Sequence, residues 1–350
     1  MHQGVREIRC QTSLIGLKNA ANHPKSMKIY INQDNQKRGP FTTEQVRELV
    51  YSGDVKRSSL ACTEGTSDWI SLETLLNRQE APTTASVPPA ITIPIERLRD
   101  RKEKTALMWL YIASVPGWLI LISWIIASRG LLIPVLGLGV LITFIGELWF
   151  GAYVKANAVR VSEKQLPEMH RVILRCCERL GMAPPDVYVM QHNIWNAFAT
   201  KIWGRRMVVL LSGAVDSILL KGNMHQMAWL VGHELGHHRA GHLDFSRKLA
   251  NLGDWCIWLK LWHSRRAELT CDRAGLFCAG SLEASQLAMI NATVGAQLAA
   301  QVNVDEAVRQ WHQHRNEFFV KYRTLYATHP HHLARLEHLA FSAVDLGIGR

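Results

Sequence analysis

The sequence predicts an α+β chain in three parts: a small α+β module, a hairpin of two bilayer-length helices, and a mainly helical domain with a small sheet. Three observations carry this. Two long apolar runs, 106–127 and 131–154, stand between stretches of ordinary soluble composition. A strand, turn and helix pattern occupies 27–79. From Lys155 onward, helical spacing of apolar residues alternates with short β-rich runs.

At 350 residues, 48% of them apolar, the chain can build two or three folded units. Its formal charge is +11, and basic residues cluster at Arg97, Arg99, Arg101, Lys102 and Lys104, beside the first apolar run. No basic stripe is interleaved with aromatics as single-strand nucleic-acid binders require, so nucleic acid is not an expected partner. The cluster suits anionic lipid headgroups instead. Seven cysteines are scattered without a C-x-x-C pair, which fits a reducing compartment without a disulfide framework. No apolar signal segment follows Met1. Residues 1–26 are expected to be a disordered leader, with Met27, just before the first patterned segment, as an alternative start.

In the first module, Lys28 to Ile31 reads as a strand and Arg38-Gly39-Pro40-Phe41 as a turn. Glu44 to Tyr51 has helical spacing through Val46, Leu49 and Val50, and Gly53 closes it. Trp69 and Ile70 begin a last short strand. With Tyr30, the Gly39-Pro40-Phe41 turn, Gly53-Asp54-Val55 and Trp69, this segment resembles a bacterial GYF-like domain of the GYF_2 type. The resemblance implies a proline-rich peptide as partner, because such peptides arrive already extended and dock on aromatic side chains. The competing expectation is that Tyr30, Phe41 and Trp69 form the core, since a small domain needs large side chains to fold. Residues 80–95, with Pro82, Pro88, Pro89 and Pro94, read as a semi-extended linker.

The segment 96–154 combines the basic stretch with the two apolar runs. Each run is long enough to cross a bilayer as a helix. Ser128-Arg129-Gly130 leaves room only for a tight hairpin, so both ends lie on one side. The basic cluster before the pair, with Lys155 and Arg160 after it, assigns that side to the cytoplasm. Pro116 and Pro134 are tolerated in such helices. Glu147, the one charge in the second run, is expected to snorkel or to face a polar partner.

In 155–350, Leu166 to Leu180 reads as an amphipathic helix ended by Gly181. Val187 to Met190 and Met207 to Leu211 read as strands, and 223–240 as a helix. A second, aromatic-rich helix is expected from Leu249 to Trp262. The first long helix contains His233-Glu234-Leu235-Gly236-His237. Residues i and i+4 share a helix face, so both imidazoles can reach one metal ion, and zinc accepts nitrogen ligands readily. Glu234 is then placed to take a proton from the attacking water. A third ligand is needed, and Glu268 is the candidate. Asp272, one turn further on, can accept a hydrogen bond from a ligand imidazole. His238 and His242 are expected to point off the ligand face, and Cys271 carries no mark of a nucleophile.

Taken together, the His233–His237 motif, Glu268 with Asp272, Thr328-His329-Pro330 with Arg335, and Asn196-Ala-Phe-Ala-Thr200 resemble the M48 peptidase family, the HtpX type. The resemblance covers roughly Lys155 to the C terminus. It implies a zincin-type domain in which His233, His237 and Glu268 hold one Zn2+, Glu234 is the base and Asp272 supports a ligand. His329 and Arg335 would hold substrate or stabilise the oxyanion. Asn196 and Ala197, with a strand through Val208, Val209 and Leu210, would pair with the substrate backbone. The implied protein is a multi-pass zinc metalloendopeptidase of the bacterial inner membrane, with both soluble parts in the cytoplasm. Its substrates would be polypeptides, in the quality control of membrane or misfolded proteins. The alternative is a membrane-tethered peptide-binding adaptor with an inactive or structural metal site, against which the intact Glu234 argues. One departure stands out: family members place further spans between the motif helix and the glutamate. Here that interval holds only Asn251 to His263, which either lies at the membrane interface or packs on the protein core.

Overall fold

The computed structural model describes residues 92–194, 196–219 and 223–349, and, nearer the N terminus, 28–33, 36–42, 45–46, 49, 55, 59–64, 68–72 and 74–75. The expectations for the leader 1–26, for Gly53 and Asp54, for most of the helix 44–51 and for linker residues 80–91 lie outside these residues. The chain divides into two compact units, Met1–Pro88 and Pro89–Arg350.

The first unit holds an antiparallel sheet of β1 (Ile29–Gln33), β2 (Gln36–Phe41), β3 (Leu60–Thr63) and β4 (Ile70–Ser71), in the order β2-β1-β3-β4. Arg38 to Phe41 is part of a strand, not the expected turn. Ile29 pairs with Phe41 and Ile31 with Arg38, so the extra residues around Gly39 and Pro40 bulge and bend β2. Gly39 sits at φ +129°, and a Cβ there would lie 2.7 Å from the Ile29 carbonyl oxygen. The core is aliphatic, built from Ile29, Ile31, Val46, Val55, Ala61, Leu72 and Leu75. This corrects the expectation of an aromatic core. Phe41 only leans against it, Tyr30 is half-buried beneath the Lys37 ammonium, and Trp69 is exposed. Alternation along β1 sends the isoleucines inward and Tyr30 outward.

The second unit opens with a short α1 (Ile95–Leu98), followed by α2 (Glu103–Ala127) and α3 (Leu132–Asn157), which are long and apolar enough to cross a bilayer. One stripe of α2 (Ala106, Leu110, Ser114) is buried against the rest of the unit, while Leu119, Trp124, Ile126 and Val140 stand largely uncovered. Then come β5 (Val159–Arg160), α4 (Pro167–Leu180), β6 (Asp186–Met190), β7 (Ala197–Ile202) and β8 (Arg205–Leu211). Gly181 closes α4 at φ +61°.

The sheet order is β5-β6-β8-β7, with β6 parallel to β8 and the outer pairs antiparallel. Side chains of β8 alternate between two clusters. Val208 and Leu210 join the main helical core, whereas Met207, Val209 and Leu211 pack with Val154 of α3. Covered on both faces, β8 reads as an unbroken apolar run.

The helical part comprises α5 (Ser212–Leu219), α6 (Met224–Arg239), α7 (Phe245–Leu249), a 3-10 turn (Ala250–Gly253), α8 (Ile257–Ala279), α9 (Leu282–Val294), α10 (Ala296–Ala299), α11 (Val304–His314), α12 (Phe318–Tyr326) and α13 (His332–Leu346). The expected helix over 249–262 is therefore not one element. The chain bends at Gly253 because it meets α2 there: a Cβ would lie 2.5 Å from the Leu110 carbonyl oxygen and 3.0 Å from the Ser114 nitrogen. The helix that follows starts at Ile257 and continues past Glu268.

The centre of the unit is the crossing of α6 and α8. The Asn223 side chain caps α6 by accepting from the His225 and Gln226 nitrogens. Gly232 faces Cys278, where a Cβ would come within 2.5 Å of the cysteine Cβ, and Gly275 faces the Trp229 carbonyl at 2.6 Å. The two backbones approach too closely for any side chain at these positions. Gly275→Ala is therefore expected to cost about 1–3 kcal/mol through overpacking, read as a lower thermal midpoint in detergent. Gly137→Ala on α3, where a Cβ meets nothing within 4 Å, is the control and is expected not to lower it.

Candidate metal centre

Helical spacing on α6 puts His233 and His237 on one face, and the α8 crossing brings Glu268 against both. His233 Nε2 lies 3.4 Å from Glu268 Oε2, and His237 Nε2 lies 3.6 Å from Glu268 Oε1. One ligand atom from each of the three falls within 4.8 Å of the others. Ligand bonds of about 2.0–2.1 Å in a tetrahedral site put donor atoms roughly 3.3–3.4 Å apart, so these residues fit a zinc-sized ion.

The outer nitrogens of both imidazoles are occupied. His233 Nδ1 donates to Asp272 Oδ1 at 3.1 Å. Asp272 in turn accepts two bonds from the Arg335 guanidinium, at 2.8 and 2.6 Å. His237 Nδ1 lies 3.2 Å from His242 Nδ1, and His242 Nε2 lies 3.1 Å from Glu103 Oε1 in the first turn of α2. Glu103 also accepts from Arg99 and Thr270. With Nδ1 of each imidazole engaged in this way, both Nε2 atoms are directed at the space beside Glu268.

The electrostatics agree with a cation at this point. Burial penalises a charged His233, yet hydrogen bonds to Asp272 and Glu268 push its pKa up to about 10. Burial drives His237 down to about 3. Glu268 and Asp272 stay ionised despite burial, Glu268 through His233 and Asp272 through Arg335. Two buried carboxylates thus hold one positive charge between the imidazoles. Glu234 differs: burial raises it to about 7, against the pull of His233 and a backbone hydrogen bond from Ala199. A carboxylate near neutrality is suited to proton transfer.

A second donor group, His237, His242 and Cys271, also falls within 4.8 Å. It fits a metal less well, because burial raises the Cys271 thiol well above its usual range and the two imidazoles already bond each other.

The ligand face opens into a cavity of about 570 Å³ lined by Asn196, Ala197, His233, Glu234, His329 and Arg335 among others. A larger groove of about 1030 Å³ adjoins it and shares His329 and His332. His329 sits on the loop between α12 and α13, exposed, with Nε2 3.5 Å from Glu268 Oε1. Arg265 donates to the Ala327 carbonyl at 2.7 Å and anchors that loop.

Three expectations change here. Val208, Val209 and Leu210 belong to β8, which is hydrogen-bonded on both sides, so they have no edge to offer a peptide. Among the described residues the outer strands are β5 and β7, and it is β7 that begins, at Ala197, beside Glu234. Arg335 is buried and committed to Asp272 rather than open to a substrate. His242 was expected to point away from the ligands, yet it bonds one of them. Its partner Glu103 is distant in sequence, and no motif links the two.

The helix presenting H-E-x-x-H thus faces a helix carrying a glutamate and lies beside an edge strand. Residues 163–259 match the family model "Peptidase family M48", and residues 30–75 match "GYF domain 2". The chain is thus similar to M48 peptidases over the first of these stretches and to GYF domains over the second. It is 28% identical to the plastoglobule-localized metallopeptidase 48 of Arabidopsis thaliana, over 44% of this chain and 48% of that protein. It is 26% identical to a protease HtpX homolog of Pyrococcus furiosus, over 54% of this chain and 65% of the other. A Pyrococcus abyssi protease HtpX homolog is 24% identical over 67% of this chain and 95% of its own length. The match thus spans about half and about two thirds of the first two relatives. No solved structure matches the chain.

Removing Arg335 would leave Asp272 buried with one partner fewer. Arg335→Ala is expected to cost about 3–5 kcal/mol of stability, measured by denaturation in detergent, and Arg335→Lys less.

Proposed function

We propose that this chain is a membrane-anchored zinc metalloendopeptidase. The observation that carries the reading is the convergence of His233 Nε2, His237 Nε2 and the Glu268 carboxylate, with Glu234 between them and the edge of β7. Two imidazoles and one carboxylate form a donor set typical of catalytic zinc, and three protein ligands leave a position open. Zinc held there supplies Lewis acidity and lowers the pKa of water.

The protein's own groups do the rest. Glu234 accepts the proton of the attacking water and returns it to the leaving amine. A peptide added along the free edge of β7 is gripped through its backbone, which tolerates many sequences. His329, exposed on the cavity rim, stabilises negative charge developing on the scissile carbonyl oxygen. Arg335 acts through Asp272, and Glu103 through His242, each keeping one imidazole in the tautomer and orientation a ligand needs.

In this reading α2 and α3 span the bacterial inner membrane. The basic residues from Arg97 to Lys104, with Lys155, keep the soluble parts in the cytoplasm. The likeness to proteases of the HtpX type supports a role in quality control of membrane or misfolded proteins. The first unit takes a proline-rich peptide on Tyr30 and Trp69, which stand outside its aliphatic core.

Casein hydrolysis by detergent-solubilised protein tests the chemistry. Glu234→Gln is expected to lower turnover by about 10²–10⁴-fold while zinc content stays at one per chain. Zinc retained by a variant that still cleaves would remove Glu234 from its role; zinc without cleavage in both proteins would favour the adaptor. Asp272→Asn and His242→Ala are each expected to weaken zinc binding about 10–100-fold in competition with a chelating dye.

A further inference from the structure

We infer that two further elements of the second unit, the β7–β8 turn at Trp203 and the segment Phe245–Trp258, are immersed in the lipid bilayer. This rests on the reading of α2 and α3 as membrane spans. Both elements are fastened to those helices well inside their apolar length. Tyr111 donates to the Ser246 carbonyl at 2.8 Å, Trp118 to that of Leu249 at 3.2 Å, and Trp255 to that of Ala113 at 2.9 Å. Along α2, Tyr111 and Trp118 lie roughly 27 and 16 Å from Arg129 at the hairpin tip, at 1.5 Å per residue. With that tip at the far face, both fall within a hydrocarbon core about 30 Å thick. On α3, the Phe144 ring lies 4.5 Å from the ring of Trp203, tilted by 56°.

The segment is built for such a place. Its charged groups have partners: Lys248 meets Glu147 at 2.8 Å and Asp254 meets Lys260 at 2.7 Å, while Arg247 donates to the Asn251 amide oxygen at 3.0 Å. Glu147, the lone charge of the second apolar run, thereby gains its partner. These hydrogen bonds pair indole and phenol donors that would otherwise face hydrocarbon. Apolar side chains are left uncovered: Phe245 is 73% exposed, Trp255 68%, Trp258 54% and Trp203 71%. Tryptophan at these positions matches an interfacial anchor. The two elements are joined through Lys201 and Asp244 at 2.8 Å, and Arg205 and Arg206 are exposed beside Trp203, where anionic headgroups would sit. The uncovered surface continues that of α2 and α3, which commits it to lipid rather than to a second copy.

The test uses the full chain in vesicles of phosphatidylethanolamine and phosphatidylglycerol. A photoreactive benzoylphenylalanine replaces Trp203, Trp255 or Trp258 in turn, with Val140 as the in-span control and Asp305 as the aqueous one. Each variant is first checked for an unchanged thermal midpoint. Photolysis is expected to give lipid adducts at the three tryptophan positions in yields comparable to Val140 and at least ~10-fold above Asp305. Adducts at Val140 with none at the tryptophan positions, or crosslinks there to a second copy of the chain, would overturn the inference alone. No lipid adduct at Val140 would instead overturn the membrane-spanning reading on which it rests.

Discussion

Everything in the second unit depends on how closely α6 and α8 cross. Gly232 and Gly275 remove the side chains that would hold the two backbones apart. Only then does the Glu268 carboxylate reach the Nε2 atoms of both His233 and His237. The cost of this arrangement is a set of charges buried in a well-packed core, which is tolerable only where every charge has partners. Arg335 answers Asp272, and Arg99 answers Glu103. The supporting hydrogen bonds are therefore part of the same constraint that forms the site.

The two ligand imidazoles are supported from different directions. His233 is held from within the helical domain, through Asp272 on α8 and Arg335 on α13. His237 is held through His242 by Glu103, the first residue of an apolar helix that reads as a membrane span. The sheet links in the same way. One face of β8 supports the helical core, and the other packs on Val154 near the end of α3.

Some expectations from the sequence needed correction, each for a physical reason. Arg38 to Phe41 has the composition of a turn, but pairing with β1 turns the excess into a bulge. The aromatics of the first unit suggested a core, yet strand alternation puts isoleucines inside and Tyr30 outside. The run 249–262 looked helical throughout, but contact with Leu110 and Ser114 of α2 bends it at Gly253. Val208 to Leu210 looked like a substrate strand because a strand covered on both faces and an edge strand can be equally apolar. Which neighbours flank a strand is set by the whole sheet.

Local periodicity determined what could be read from the sequence alone. The i, i+4 spacing put His233 and His237 on one helix face, and the length of the two apolar runs marked the hairpin. The spacing from that motif singled out Glu268 and Asp272, one turn apart on a second helix. Tertiary structure alone decided how these pieces meet: the edge position of β7, the commitment of Arg335 to Asp272, and the chain from His237 through His242 to Glu103. Those contacts join residues far apart in sequence. Their geometry depends on helix crossing and strand order, and no short-range pattern encodes either.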